Sequence, residues 1–162
     1  MPICNLSDLP QLLTRNQCLL GLDYGTKIIG VAVSDPGLRV ASPLLSLVRK
    51  KFTQDAQILI QLMRERDIGA LVVGLPRDLE GEEGPMAQAA RAFAHNLMRH
   101  PDRPFADLPV AFWDERFSTA AVERFLISDD MSRKRRSEVI DKAAAAYMLQ
   151  GALDALEIQG HV

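Results

Sequence analysis

From Leu19 onward the chain alternates between short β-branched runs and longer amphipathic ones, and the order of these runs predicts its elements. Leu19 to Asp23 and Ile28 to Val33 are apolar stretches of strand length. The polar turn Tyr24, Gly25, Thr26, Lys27 separates them, which predicts a tight strand pair. Asp35-Pro36-Gly37 is a strong turn signal, and Val40 to Val48 reads as a third strand in which Pro43 points to a sheet edge or an irregular segment. Phe52, Ala56, Leu59, Ile60 and Met63 recur at three- and four-residue steps, the pattern of an amphipathic helix capped by Thr53 and ending near Asp67 to Gly69. Ala70 to Gly74 is apolar throughout, as in a strand parallel to the first and covered on both faces. Pro85 opens a helix whose Met86, Ala89, Ala90, Phe93 and Leu97 make one apolar side. Val110 to Trp113 is a last short strand, Ser118 caps a helix from Thr119 to Ile127, and a final helix runs from Ser137 to near Leu156. Three hairpin-type strands followed by alternating helix and strand amount to an α/β sandwich with a mixed sheet.

The division of the chain follows. Residues 1–16, with Leu6, Leu9, Leu12 and Leu13 around Pro10, form an N-terminal extension, either a short turn of helix over the fold or a loose tail. A single domain takes residues 17–158. The 162 residues are 48% hydrophobic and 25% charged, enough for one well-filled core. The net charge of −2 means that any contact with nucleic acid must come from a local patch. Cys4 and Cys18 show no metal-ligand spacing, and the three histidines are scattered. With no long apolar run and no charged start before an apolar segment, the expected setting is the cytosol, with no membrane contact.

Candidate chemistry comes from the acids. Two of the strands end in carboxylates, Asp23 on one and the Asp114-Glu115 pair on the other, and Asp141 lies in the first turns of the last helix beside its apolar side. In an open α/β sheet, sites form outside the carboxyl ends of the strands. Each acid also has a plain reading: Asp23 as an acceptor for its own turn, Asp114 and Glu115 as surface partners of Arg116, Asp141 as a helix-surface acid facing Arg136 or Lys142. Their joint placement is what suggests a site. Carboxylates about 5 Å apart repel by roughly 3 kcal/mol per pair at an effective dielectric near 20, so gathering three calls for a cation. Without a His or Cys cluster the ion would be Mg²⁺ or Mn²⁺, and the natural chemistry is phosphodiester hydrolysis. The run Arg133, Lys134, Arg135, Arg136 is either a solvated face or a grip on flanking phosphates, and Lys27 has the same choice at shorter range.

GLDYGTKIIGVAVSD at Gly21 to Asp35, VVGLPRDLEGEEG at Val72 to Gly84, WDERFST at Trp113 to Thr119 and RKRRSEVIDKAAAAYMLQGALD at Arg133 to Asp154 resemble the successive motifs of the YqgF family of bacterial pre-16S rRNA nucleases. The resemblance runs in order from about Leu19 to Asp154. It implies an RNase H-like fold related to RuvC resolvases, here a mixed five-stranded sheet flanked by helices. It also implies a cytoplasmic hydrolase that trims precursor rRNA in ribosome biogenesis. Asp23, an acid of the Asp114-Glu115 pair and Asp141 would then be the metal-binding catalytic set. Ile28 stands where the family commonly has Arg, which removes one potential phosphate contact, and residues 1–16 fall outside the resemblance. Three rivals remain: a DNA-junction resolvase using the same acids, an inactive RNA-binding assembly factor, and an actin-like ATPase, for which a second phosphate loop is missing. The motifs carry no information on oligomeric state.

Overall fold

A computed structural model of the chain describes residues 3–76, 82–101, 108–114 and 133–158, the last stretch with side chains from Lys142 onward. Its centre is a meander: β2 (Cys18–Tyr24), β3 (Ile28–Ser34) and β4 (Ala41–Val48), each antiparallel to the next. The β-branched and leucine-rich runs expected to pair do so, with Asp23 opposite Gly30 and Leu20 opposite Val33. β5 (Ile68–Leu75) lies parallel to β2 on its other side, and β6 (Val110–Asp114) lies parallel to β5. These are the five expected strands. A sixth, β1 (Ile3–Cys4), pairs in parallel with β6, which gives the order β1-β6-β5-β2-β3-β4. The N-terminal segment is therefore part of the sheet, and Leu9, in the short helix α1 (Leu9–Leu12), is fully buried. Two residues carry no readable periodicity, which is why this strand escaped sequence reading. Pro43 sits on the edge strand, as expected, beside a register shift at Val31/Ala32.

Two layers of helix cover the sheet. On one face, α2 (Phe52–Glu65) and α3 (Pro85–Met98) pack Ala56, Leu59, Ile60, Met63, Ala90, Phe93 and Leu97 against Leu20, Leu22, Val31, Leu71 and Val73. The other face belongs to α4 (Arg133–Ile158), whose Ala145, Met148, Leu149, Ala152 and Leu156 meet Leu19, Ala32, Ala70, Val72 and Ala111. Small residues interspersed among these large ones let the helix approach the sheet closely. A Cβ on Gly21 would meet Leu149 Cβ at 3.0 Å, and one on Gly151 would meet Trp113 Nε1 at 3.4 Å. Gln150 ties α4 to the β3–β4 turn by accepting from Ala41 N–H and donating to Arg39 O, both at 2.8 Å.

Two helix starts differ from expectation. α2 begins at Phe52 with Lys51 as N-cap, so Thr53 is inside the helix and caps nothing. No side chain caps this helix, and buried Asp55 reaches back to the chain before it, its two carboxylate oxygens accepting from Lys50 N–H at 3.2 and 3.1 Å. α4 begins at Arg133, not Ser137, so the basic run Arg133 to Arg136 is its opening turn. Arg and Lys are good helix formers, and nothing in the run stops a helix from extending through it. Asp141 is accordingly in the third turn of α4. The helix expected over Thr119 to Ile127 lies outside the described residues. Both cysteines are free, and burial, with neighbouring carboxylates second, pushes both thiols up. Cys18 thus behaves as a small buried hydrophobe.

Candidate active site

Parallel pairing puts the carboxyl ends of β2, β4, β5 and β6 at one edge of the sheet, with the β2–β3 turn among them. Asp23 is the penultimate residue of β2 and half-buried. One step beyond the last paired residues, Leu22 and Val73, it stands beside Gly74, which pairs in turn with Trp113. Asp114, the last residue of β6, pairs with Leu75 and is likewise half-buried. Asp23 and Asp114 therefore share the edge but stand two strands apart, about 10 Å along the hydrogen-bonding direction.

The faces separate them further. In β2, Leu20, Leu22 and Tyr24 point to α2 and α3, so Asp23 alternates to the side covered by α4. In β6, Val110 and Phe112 belong to the α2/α3 side while Ala111 and Trp113 belong to the α4 side, which leaves Asp114 with Phe112. The described residues bring Asp23 and Asp114 to one edge and not to one face. Glu115 and the side chain of Asp141 lie outside the described residues, as do the side chains of Arg133, Lys134, Arg135 and Arg136. Lys27 is exposed in the turn after Asp23.

Two arginines at this edge were not anticipated from sequence. Arg49, immediately after β4, donates from Nη1 to Gly25 O at 3.0 Å and to Thr26 O at 2.8 Å, with its guanidinium 4.4 Å from the centre of the Tyr24 ring. Arg91 of α3 grips Glu83 with Nε 3.1 Å from both carboxylate oxygens and Nη2 2.7 Å from Oε1. Its guanidinium also lies 4.6 Å over the Phe112 ring, so the chain entering α3 is fastened beside the end of β6. A signal for Arg49 did exist: in a three-strand meander, the end of the third strand returns to the edge where the first one ends. Arg91 had none, since Glu83 precedes the helix by a non-helical step and Phe112 comes from a separate strand.

A meander followed by two parallel strands, with an acid near the end of an interior strand, gives the class as an RNase H-like α/β protein. The fold matches Thermus thermophilus RuvC in complex with a Holliday junction substrate at a TM-score of 0.52 and 17% identity, covering 86% of this chain and 94% of that one. It also matches the fowlpox virus resolvase bound to Holliday junction DNA at a TM-score of 0.51 and 10% identity, covering 86% and 99%. The chain belongs to the RuvX family, described as Holliday junction resolvase, whose match spans residues 17–155. A relative from Rhodospirillum centenum named "Putative pre-16S rRNA nuclease" is 58% identical over 96% of this chain and 83% of its own length. One of the same name from Rhodospirillum rubrum is 53% identical over 98% and 96%. The protein is thus a nuclease, a hydrolase of phosphodiester bonds. Among the described residues no helix is long and apolar enough to cross a membrane.

Proposed function

We propose that this nuclease is a divalent-metal-dependent endonuclease that trims the 5′ end of precursor 16S rRNA in the cytoplasm, the substrate carried by the names of its relatives. The observation that supports the site is Asp23: a half-buried carboxylate next to the end of an interior strand, at the gathering edge of the sheet and on the face that α4 covers. Asp141 belongs to α4 and precedes Ala145, Met148 and Ala152 by four, seven and eleven residues, the spacing of one helix stripe. Those three alanine and methionine positions are buried against the sheet. Of the Asp114-Glu115 pair, Glu115 is the favoured member. Asp114 is grouped with Phe112 on the α2/α3 side, away from the face of Asp23, and that leaves Glu115 as the favoured choice.

The donor chemistry of Asp23, Asp114, Glu115 and Asp141 is wholly carboxylate oxygen, which suits Mg²⁺ or Mn²⁺ and not a soft ion. Among the described residues no three His, Cys, Asp or Glu side chains form a cluster, so the set depends on Glu115 and Asp141 for completion. When bound, the metal supplies charge neutralisation and an activated water. Asp23, Glu115 and Asp141 hold it. Lys27 and the run Arg133, Lys134, Arg135, Arg136 take the flanking phosphates, which makes binding sensitive to salt.

The test is cleavage of a precursor rRNA fragment by the purified protein with Mg²⁺, with Mn²⁺, with chelator, and with Asp23→Asn in place of the wild type. Metal-dependent cleavage leaving a 5′-phosphate, lost by at least about a hundredfold in Asp23→Asn, is the expected result. Cleavage that persists in excess chelator overturns the metal reading. A four-way DNA junction belongs in the same experiment, because the family description and the junction-bound structural neighbours favour a resolvase as the second reading. Faster cutting of the junction than of the RNA would select it.

A further inference from the structure

The turn that follows Asp23 is short, polar and held from outside. Gly25 N–H donates to Ile28 O at 3.0 Å, which closes the hairpin, and a Cβ on Gly25 would come within 2.6 Å of the same oxygen. The other carbonyls of the turn face Arg49. Gly25 O and Thr26 O accept from its Nη1, and Lys27 O accepts from its backbone N–H at 2.8 Å. The guanidinium is meanwhile pinned over the Tyr24 ring. Three successive carbonyls and one aromatic ring thus meet a single residue from another strand. Because the C=O and N–H bonds of a trans peptide point in opposite directions, the N–H groups of Thr26 and Lys27 turn away from Arg49.

We infer that Arg49 is a positioning residue of the nuclease site: it fixes the Tyr24–Lys27 turn so that Asp23, just before it, and Lys27, within it, keep one arrangement toward the substrate phosphate. The inference rests on Asp23 being part of the site. Its reach comes from geometry. A planar guanidinium meets two adjacent carbonyls from one nitrogen while stacking on a ring, whereas a lysine ammonium is a point donor on a flexible stem. Arg49 does not touch substrate in this role, so it acts on the rate chiefly through Asp23, and on binding only through the single contact of Lys27.

The experiment compares wild type, Arg49→Met, Arg49→Lys and Asp23→Asn in steady-state cleavage of a labelled precursor rRNA fragment, with a Mg²⁺ titration, a salt series and a thermal melt for each. Arg49→Met is expected to lose roughly ten- to a hundredfold in kcat, as small misplacements of a reacting group do, and to need more Mg²⁺ for half its maximal rate. Its KM should stay within about threefold of wild type, since Lys27 is one phosphate contact among several and the basic run of α4 is unaltered. Arg49→Lys should recover part of the loss, and it carries the test if Arg49→Met does not fold. An unchanged kcat in the Arg49 variants overturns the inference. So does a loss confined to KM that grows with salt, which would make Arg49 a direct phosphate contact, and so does a loss that merely follows the unfolded fraction. An inactive Asp23→Asn beside a fully active Arg49→Met removes only the role of Arg49. An active Asp23→Asn removes the site assignment and this inference with it.

Discussion

The two faces of the sheet are packed by different means. Under α2 and α3 the layer is thick: Leu20, Leu22, Leu71 and Val73 meet Leu59, Met63, Phe93 and Leu97, and Tyr24 and Phe93 stack with ring centres 4.9 Å apart. Under α4 it is thin, with Gly21, Ala32, Ala70 and Ala111 on the sheet against Ala145 and Ala152 on the helix. Large side chains tolerate adjustment, while a close backbone approach does not. The thin face is also the one to which Asp23 points. Precision has therefore been concentrated where the proposed site needs a helix at fixed distance from a strand.

Truncation on each face gives the largest expected effect and the sharpest contrast. Leu71→Ala and Leu149→Ala, both at fully buried positions, should each cost about 2–5 kcal/mol in denaturant unfolding. The two should part in activity: folded Leu71→Ala should cleave near the wild-type rate, and folded Leu149→Ala, with α4 loosened over Gly21, should not. Equal rates in the two would show that the thin face holds no special role. Next in size is Gly21→Ala, which puts a methyl 3.0 Å from Leu149 Cβ and forces the helix outward by a few tenths of an ångström. Overpacking of that kind costs roughly 1–3 kcal/mol, read as a lowered Tm, and the cleavage rate should fall with it.

The smallest effect concerns the β3–β4 turn, to which Gln150 ties α4. Burial tends to raise the Asp35 carboxyl, but N–H donors from Val40, Arg39, Gly37 and Asp35 itself outweigh it and hold the group below its usual range. Arg39 N–H and Val40 N–H donate to its Oδ1 at 2.8 and 2.9 Å. A carboxyl lowered in the folded state contributes stability above its unfolded pKa of about 3.9, and that contribution is lost as pH falls through the lower folded value. The Tm of the wild type should therefore drop more steeply below about pH 4 than that of Asp35→Asn, which has nothing to protonate there. Parallel curves would show that the carboxylate adds nothing to the turn.

Much of this architecture was readable from the chain. The meander followed from two β-branched runs around a Gly-containing turn, and Pro43 marked the edge strand. What stayed hidden has physical causes. β6 is covered on both faces, so Val110 to Trp113 is apolar at every position and shows no alternation from which to read its phase. The sequence therefore named Asp114 and Glu115 together, and only the packing of Phe112 and Trp113 separates their faces. The start of α4 was misjudged because a run of four basic residues reads as surface loop, although each is a good helix former. The clasp of Arg49 joins residues more than twenty positions apart, so only the return of the third strand, and no local pattern, points to it.

The outer border formed by β4 has a bearing on how this protein behaves in concentrated solution. Pro43 has no N–H to give, and Leu44 is the surplus residue between the pairs Val31–Leu45 and Ala32–Pro43. A strand from a second molecule approaching that border would meet a broken ladder instead of a continuous one. Edge-to-edge growth into fibrils from this side should be suppressed even at high protein concentration.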